Sequence, residues 1–343
     1  MHESATHNLS RMPKRLQDQL KPVIGASNLQ PRQEFLVPNE IYHGDAREVL
    51  QQIKPNTVTV SMWSPPYFVG KKYESYLTDF HSWMSLLEDV IRFHYPIIRP
   101  GGFLVVNIAD ILCFQDSSMP KIQADAVTRR SRITRELVLQ AKASHPLLNR
   151  YQLAALLGCS EQTIDRRLNG NNIRGGKYQN QTRVKLLGGL LEEWALKAGF
   201  YLYDRRIWAK DACWENSRWH SLSYRAVDEF EYLYFFWKPG ITKFDRGRLT
   251  PNEWREWGSR GVWQIPSVRA NDDHEAKYPV ELVRRVLRLL SDENDIVLDP
   301  FMGSGTTAVT AIQEKRRYIG IELHKAYVDL AKKNCRRTSL RLL

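Results

Sequence analysis

Apolar residues along the chain follow two rhythms. Short continuous apolar runs alternate with longer stretches in which apolar residues recur every three to four positions, which is the pattern of an α/β protein. Glu40-Ile41-Tyr42-His43-Gly44-Asp45 reads as a strand ending in an acid, followed by a helix from Ala46 to Ile53. Thr57-Val58-Thr59-Val60-Ser61-Met62-Trp63 is a second strand, rich in β-branched residues. From Asp79 to Ile98, Trp83, Leu86, Leu87, Val90 and Ile91 share one helical face, and Pro100-Gly101-Gly102 closes the segment. Phe103-Leu104-Val105-Val106-Asn107-Ile108 is the next buried strand. The rhythm returns with a helix over Leu190 to Gly199 and two strands, Tyr201 to Trp208 and Glu229 to Trp237, expected to form an edge hairpin. A helix over His274 to Leu290 carries Val283, Val286, Leu287 and Leu290 on one face and leads into the strand Ile296-Val297-Leu298. Arg317-Tyr318-Ile319-Gly320-Ile321-Glu322 is the last strand, before a helix from His324 to about Arg336 whose basic end suits a helix C-terminus. Gly240 to Ala270 is basic and aromatic without a period.

Between Ile111 and Gly189 the alternation stops, and this block reads as an insertion. It carries Arg129-Arg130-Ser131-Arg132 and then Tyr151 to Leu168, where Ala154, Gly158 and Ile164 have the small, turn and apolar spacing of a helix-turn-helix. Ser160 is placed to cap the second helix. Gln162, Thr163, Arg166 and Arg167 would project from that helix, with side chains suited to base edges and phosphates. A hairpin that only packs, with its arginines in water, fits the same pattern. The expected organisation is a basic, mobile arm over residues 1–38, one catalytic α/β domain from residues 39–110 and 190–343, and an inserted helical DNA-recognition region over residues 111–189.

The chemistry gathers at two stretches. In Leu298-Asp299-Pro300-Phe301-Met302-Gly303-Ser304-Gly305-Thr306-Thr307 a strand ends in a carboxylate, turns through two glycines and opens a helix. That is the layout of a nucleotide-type cofactor site, in which glycines admit a ligand to the backbone and the helix start offers N–H donors. The spacing is not that of a dinucleotide fingerprint, and no Lys follows the second glycine as a phosphate loop requires. Asp299 would repel a pyrophosphate. A ligand with an ammonium, a carboxylate and no phosphate fits better, and S-adenosylmethionine is such a ligand. Glu322, ending the next strand, is placed to hold ribose hydroxyls. The second stretch is Ser64-Pro65-Pro66-Tyr67, at the carboxyl end of a presumed central strand. Its two prolines stiffen the backbone, so it offers a rigid carbonyl at Pro65, a hydroxyl at Ser64 and an aromatic face at Tyr67. That set can grip a planar ring bearing an amino group.

Composition narrows the partner. Lys plus Arg number 50 against 38 Asp plus Glu, a net charge of +12 that suits a polyanion. Ten Trp and fifteen Tyr add faces on which bases could stack. The four cysteines, Cys113, Cys159, Cys213 and Cys335, are too scattered for a zinc pattern, and no metal is expected. No apolar run approaches the roughly eighteen residues of a membrane span, and the N-terminus lacks a signal-peptide core, so a soluble, cytoplasmic protein is expected.

These residues resemble a known family. Asp299 to Thr307 is similar to motif I of the DNA amino-methyltransferases, and Ser64-Pro65-Pro66-Tyr67 to their motif IV, in the Ser form typical of cytosine-N4 enzymes. Motif IV precedes motif I, as in the β group of bacterial restriction-modification methyltransferases. Gly44-Asp45 resembles motif III and His274 to Pro279 motif X; Ile207 to Lys210 and Glu231 to Lys238 are similar to later family segments. The resemblance covers about Glu40 to Asp110 and Leu190 to Lys333. It implies a Rossmann-like, S-adenosylmethionine-dependent sheet, permuted so that motif IV comes first. It also implies that Asp299, Phe301, Gly303, Ser304, Gly305 and Thr306 line the cofactor site, with Glu322 on the ribose and Asp45 near the adenine. Ser64, Pro65, Pro66 and Tyr67 would hold a base rotated out of double-stranded DNA. The implied activity is methylation of cytosine N4, with a cognate endonuclease acting separately. Adenine-N6 methylation, RNA methylation and a non-catalytic DNA-binding regulator are the alternatives. C5 methylation would need a Cys nucleophile, usually after Pro, and no Pro-Cys occurs.

Overall fold

The first part of the chain supplies β1 (Glu40–His43), α1 (Ala46–Val49), β2 (Val58–Trp63), α2 (Phe80–Ile97) and β3 (Ile98–Ile108). The interrupting block contains β4 (Ile111–Gln115), β5 (Ile122–Ala124), α3 (Arg135–Ser144), α4 (Arg150–Leu156), α5 (Glu161–Asn169), β6 (Tyr178–Asn180) and β7 (Thr182–Lys185). Then come α6 (Gly188–Ala198), β8 (Tyr201–Cys213), β9 (Asp228–Trp237), β10 (Val262–Gln264), α7 (Val280–Leu290), β11 (Ile296–Asp299), α8 (Thr306–Gln313), β12 (Arg317–Glu322) and α9 (Lys325–Leu342). The structure, a computed structural model, describes residues 35–68, 79–120, 122–124, 132–169, 178–213, 226, 228–268 and 278–342. Most of the expected N-terminal arm lies outside these, as do residues 129–131, the Trp- and Ser-rich stretch 214–225 and residues 274–277.

Eight strands form one sheet in the order β1-β12-β11-β2-β3-β9-β8-β10. Strands β1, β12, β11, β2 and β3 are mutually parallel, β9 runs antiparallel to both β3 and β8, and β10 is parallel to β8. Both faces are covered. Leu104, Val106 and Ile108 of β3, Leu298 of β11 and Ile319 and Ile321 of β12 pack on one side with Leu87, Val90 and Ile91 of α2. Phe103 and Val105 of β3, Val297 of β11 and Tyr318 of β12 pack on the other with Val283, Val286 and Leu287 of α7 and Ala308 and Ala311 of α8. This two-sided burial explains why β2 and β11 are buried at every position and mostly apolar, with Thr59, Ser61 and Asp299 as the buried polar exceptions. The helix face read over α2 is the buried one, extended by His94 and Ile97, and Asp79 caps the helix by accepting the Ser82 amide.

Three expectations change. Strands β8 and β9 pair antiparallel as expected but are not the sheet edge: β9 lies against β3, β10 lies outside β8, and β8 runs on to Cys213. The stretch read as without period contains β10, which closes the sheet edge; three residues are too few to show alternation. The insertion is not purely helical, since β4 pairs with β7 and β5 with β6 as antiparallel two-stranded ribbons. Between β5 and β6, helices α3, α4 and α5 pack around Val138, Leu153, Ala154 and Ile164. The Ser160 hydroxyl accepts the Thr163 amide at 3.3 Å, and Gly158 adopts φ +61 in the turn before it. No helix among the described residues is long and apolar enough to cross a membrane.

Candidate active site

Strand β11 leaves the sheet toward α8 and β12, whereas its neighbour β2 leaves toward α2 and β3 in the opposite direction. Diverging connections open a crevice at the carboxyl ends of the two strands, where open α/β sheets bind ligands. Pairing of β2 with β11 therefore brings Ser64 beside Pro300 although they are far apart in sequence. A buried polar group ties the two strands together below the crevice. Ser61 Oγ lies 3.1 Å from the Leu298 carbonyl and 2.9 Å from His94 Nε2.

One cleft is lined by Asp45, Ser64, Pro65, Pro66, Tyr67, Phe301, Gly303, Ser304, Thr306 and Glu322. Ten residues singled out from the sequence thus converge. Two do not reach the cleft. Asp299 is fully buried and accepts from the Phe301 amide at 2.9 Å, Thr307 Oγ1 at 2.6 Å and the Tyr278 hydroxyl at 2.8 Å. Its carboxylate therefore holds the turn together from behind, and burial pushes its pKa up to about 6 against those hydrogen bonds. At Gly305 a Cβ would sit 2.9 Å from the Ala331 Cβ of α9, so this glycine serves helix packing rather than approach of a ligand.

Over β1, β12 and β11 the cleft is acidic. Glu322 accepts the Gly303 amide through Oε2 and the His324 amide through Oε1, each at 2.8 Å, and so fixes the turns after β11 and β12 against one another. Asp45 caps α1 by accepting the Arg47 amide at 2.8 Å, and the hydrogen-bonded Arg47 guanidinium lowers its pKa below the usual carboxylate range. The Phe301 ring packs edge-on against Trp63, with centroids 5.3 Å apart. Among the described residues no Lys or Arg side chain lines the cleft. Two acids and the hydroxyls of Ser304 and Thr306 suit a ligand with cationic centres and ribose hydroxyls and disfavour a phosphate, while the helix start of α8 offers N–H donors to a carboxylate. A sulfonium-bearing nucleoside therefore fits this half.

Over β2, β3, β9 and β8 the lining changes to Ser64, Pro65, Tyr67, Asn107, Trp208 and Glu231. Trp83 of α2 donates its indole N–H to the Pro66 carbonyl at 2.7 Å, which anchors the Pro-Pro segment. Asn107, Trp208, Glu231 and Tyr278 were not among the residues singled out, although all but Asn107 lie in segments noted for resemblance. The sequence signal they offered was polarity within apolar strands, as at Asn107 in β3 and Glu231 in β9. Gln162, Thr163, Arg166 and Arg167 lie on α5, outside the cleft. Of these, Gln162 is exposed, whereas the Arg167 guanidinium donates to the Ile133 carbonyl at 2.8 Å and is engaged within its own unit.

A family model described as DNA methylase, of the N6/N4 methyltransferase type, matches residues 58–333. The type II methyltransferase M.BglI of Bacillus subtilis is 58% identical over 301 residues, which span 88% of this chain and 86% of that one. TTHA0409 of Thermus thermophilus, solved in complex with S-adenosyl-L-methionine, is similar with a TM-score of 0.56 at 24% identity, covering 88% of this chain and 94% of that one. The PvuII DNA methyltransferase, cytosine-N4-specific, gives a TM-score of 0.52 at 18% identity over 88% and 87% of the two chains. At these identities the two structures speak to the fold.

Proposed function

The chain belongs to the DNA methylase family of N6/N4 methyltransferases, and from that premise we propose that it methylates the exocyclic N4 of a cytosine rotated out of duplex DNA, as part of a restriction-modification system. The observation that carries this reading is the β2–β11 pairing, which sets Ser64-Pro65-Pro66-Tyr67 beside the Phe301 to Thr306 turn on one cleft that no Lys or Arg among the described residues lines.

S-adenosylmethionine, the cofactor of this family, supplies when bound a methyl group on a positively charged sulfur. Asp45 and Glu322 hold its nucleoside end, and Phe301, Gly303, Ser304 and Thr306 line the rest of its site, with Asp299 and Gly305 shaping the turn from behind. The protein's own work falls on the nucleophile. The N4 lone pair of cytosine is delocalised into the ring and is a poor nucleophile. Hydrogen bonds from its two N–H groups to the Ser64 hydroxyl and the Pro65 carbonyl draw density back onto nitrogen. Pro66, anchored by Trp83, keeps that carbonyl from relaxing, and the Tyr67 ring offers the base a face. Rate then comes from positioning and preorganised dipoles, and extrusion of the base is required because the amino group is otherwise paired in the helix. Gln162, Thr163, Arg166 and Arg167 of α5 form the DNA-recognition surface in this reading, with Arg167 acting by holding the helix in place.

The experiment is transfer of tritiated methyl to plasmid DNA, followed by hydrolysis to nucleosides and their identification by mass spectrometry. N4-methylcytosine is expected. N6-methyladenine would replace the cytosine reading with the adenine one, and donor binding without transfer would make the protein a non-catalytic regulator. Ser64→Ala is expected to lower turnover on the order of a hundredfold and to leave donor affinity nearly unchanged in calorimetry.

A further inference from the structure

Ser64 is the first member of a hydrogen-bonded chain. Its hydroxyl lies 3.3 Å from the Tyr67 hydroxyl, which in turn donates to Glu231 Oε2 at 2.7 Å. The other Glu231 oxygen accepts from Lys210 Nζ at 2.6 Å, and Lys210 also reaches Asp228 Oδ2 at 3.1 Å. The side chains of Lys210 and Glu231 are only 13% and 11% exposed, so the pair is shielded from water that could substitute for either partner.

The direction of this chain is fixed by its far end. An ion-paired carboxylate accepts hydrogen bonds and donates none. The single Tyr67 proton is therefore committed to Glu231, and the Tyr67 oxygen has only lone pairs to offer Ser64. The single Ser64 proton is then drawn to Tyr67, and what Ser64 presents elsewhere is an acceptor. Burial, followed by the Glu231 charge, holds the Tyr67 pKa well above its ordinary value, so this proton stays in place at neutral pH. Burial disfavours the Lys210 charge, yet Glu231 and Asp228 outweigh it and raise the Lys210 pKa, so the ion pair persists as well. Asn107, in the same half of the cleft, gives its amide N–H to the Tyr232 carbonyl at 3.1 Å and leaves Oδ1 buried with no hydrogen-bond partner among the described residues. Ser64 thus presents lone pairs in this half of the cleft, and Asn107 keeps an unsatisfied acceptor there.

We propose that Asp228, Lys210, Glu231 and Tyr67 form a polarity-setting relay that holds the Ser64 hydroxyl as an acceptor, so that the site admits bases carrying an exocyclic amine and rejects their oxo counterparts. Tyr67 and Ser64 touch the base; Glu231, Lys210 and Asp228 are positioning residues. The inference rests on the DNA methyltransferase reading but is indifferent to the choice between cytosine and adenine. An oxo group facing the Ser64 oxygen sets lone pair against lone pair in a buried place, which is worth about ten- to a hundredfold in affinity.

The test begins with DNA modified by the wild-type protein, whose modified positions define the site. Duplexes of that site are then made with the amino base or its oxo counterpart at the target position, cytosine against uracil or adenine against hypoxanthine. Each target is placed opposite an abasic position so that unpairing costs the same. Affinities are measured by competition in the presence of S-adenosylhomocysteine. The wild-type protein is expected to prefer the amino base by about tenfold or more. In Glu231→Gln the amide can donate as well as accept, which releases the Tyr67 proton, and Tyr67→Phe releases the Ser64 proton directly. Both variants should lose most of the preference, while calorimetry finds their affinity for S-adenosylhomocysteine unchanged. Equal affinity of the wild-type protein for the two duplexes overturns the relay, as does an undiminished preference in either variant that still binds S-adenosylhomocysteine. A wild-type protein that never methylates DNA overturns the functional reading and the relay with it.

Discussion

His94 lies inside α2 with no exposed surface, its Nδ1 2.6 Å from the Val90 carbonyl. A carbonyl only accepts, so His94 Nδ1 carries the proton given to Val90, and the single Ser61 proton goes to the Leu298 carbonyl. Burial in this dry place disfavours a charged ring and lowers the His94 pKa to about 4. Between its unfolded value near 6.5 and about 4, the unfolded chain binds a proton that the folded one refuses. The contribution of His94 to stability is therefore complete above about pH 6.5 and is lost as pH falls toward 4, roughly 3 kcal/mol in all. Asp299 works in the opposite sense. With its folded pKa raised to about 6, the folded state takes up the proton first, so acidification from pH 6 toward 4 relieves a buried charge. Thermal melts across this range should show a flatter acid decline for His94→Gln than for the wild type and a steeper one for Asp299→Asn. Parallel curves for His94→Gln and the wild type would remove His94 as the source of acid sensitivity.

At the level of elements, the turn between β11 and α8 faces the cleft through Phe301, Gly303, Ser304 and Thr306 and packs against the fold behind through Gly305. Gly305 precedes α8 with φ +93, in the left-handed region that side chains with a Cβ avoid, and it faces Ala331 of α9. Gly305→Ala should cost about 1–3 kcal/mol of stability, visible as a lower melting temperature. Because a shift of α8 carries Thr306 with it, weaker donor affinity in calorimetry is expected as well. An Ala variant with unchanged melting temperature and donor affinity would show that α9 yields at this contact. The insertion obeys the same logic of local fit. Asn149 and Gln152 form a capping box on α4, and Ser160 begins α5, so both helices are marked by their own residues although each is short.

Across the whole molecule, charge and cleft divide the labour. The net charge is +12, yet no Lys or Arg among the described residues lines the cleft. The cleft is thus left to acids, and attraction of a polyanion falls to other surfaces. In a salt titration, DNA affinity should fall steeply, with a log–log slope near −0.9 for each phosphate neutralised, while donor affinity changes little. Arg166→Ala on α5 should reduce that slope by about one if it meets a phosphate. An unchanged slope and affinity would return the three-helix unit to a packing role.

Much of this protein was legible in its residues. Strand and helix segments are set by local periodicity, and the faces of α2 and α7 followed from it closely. The Ser64 to Tyr67 and Asp299 to Thr307 stretches carried their chemistry in their own side chains. The tertiary structure alone decided which strands adjoin. It set β11 beside β2, brought Glu231 to Tyr67 across 164 residues, turned Asp299 inward and drew β10 to the sheet edge. The reason is physical: periodicity says which face of a segment must be buried, but not which distant segment will bury it. Strand partners and register are chosen by the whole chain at once, as it covers both faces of one sheet and pairs most of its buried polar groups.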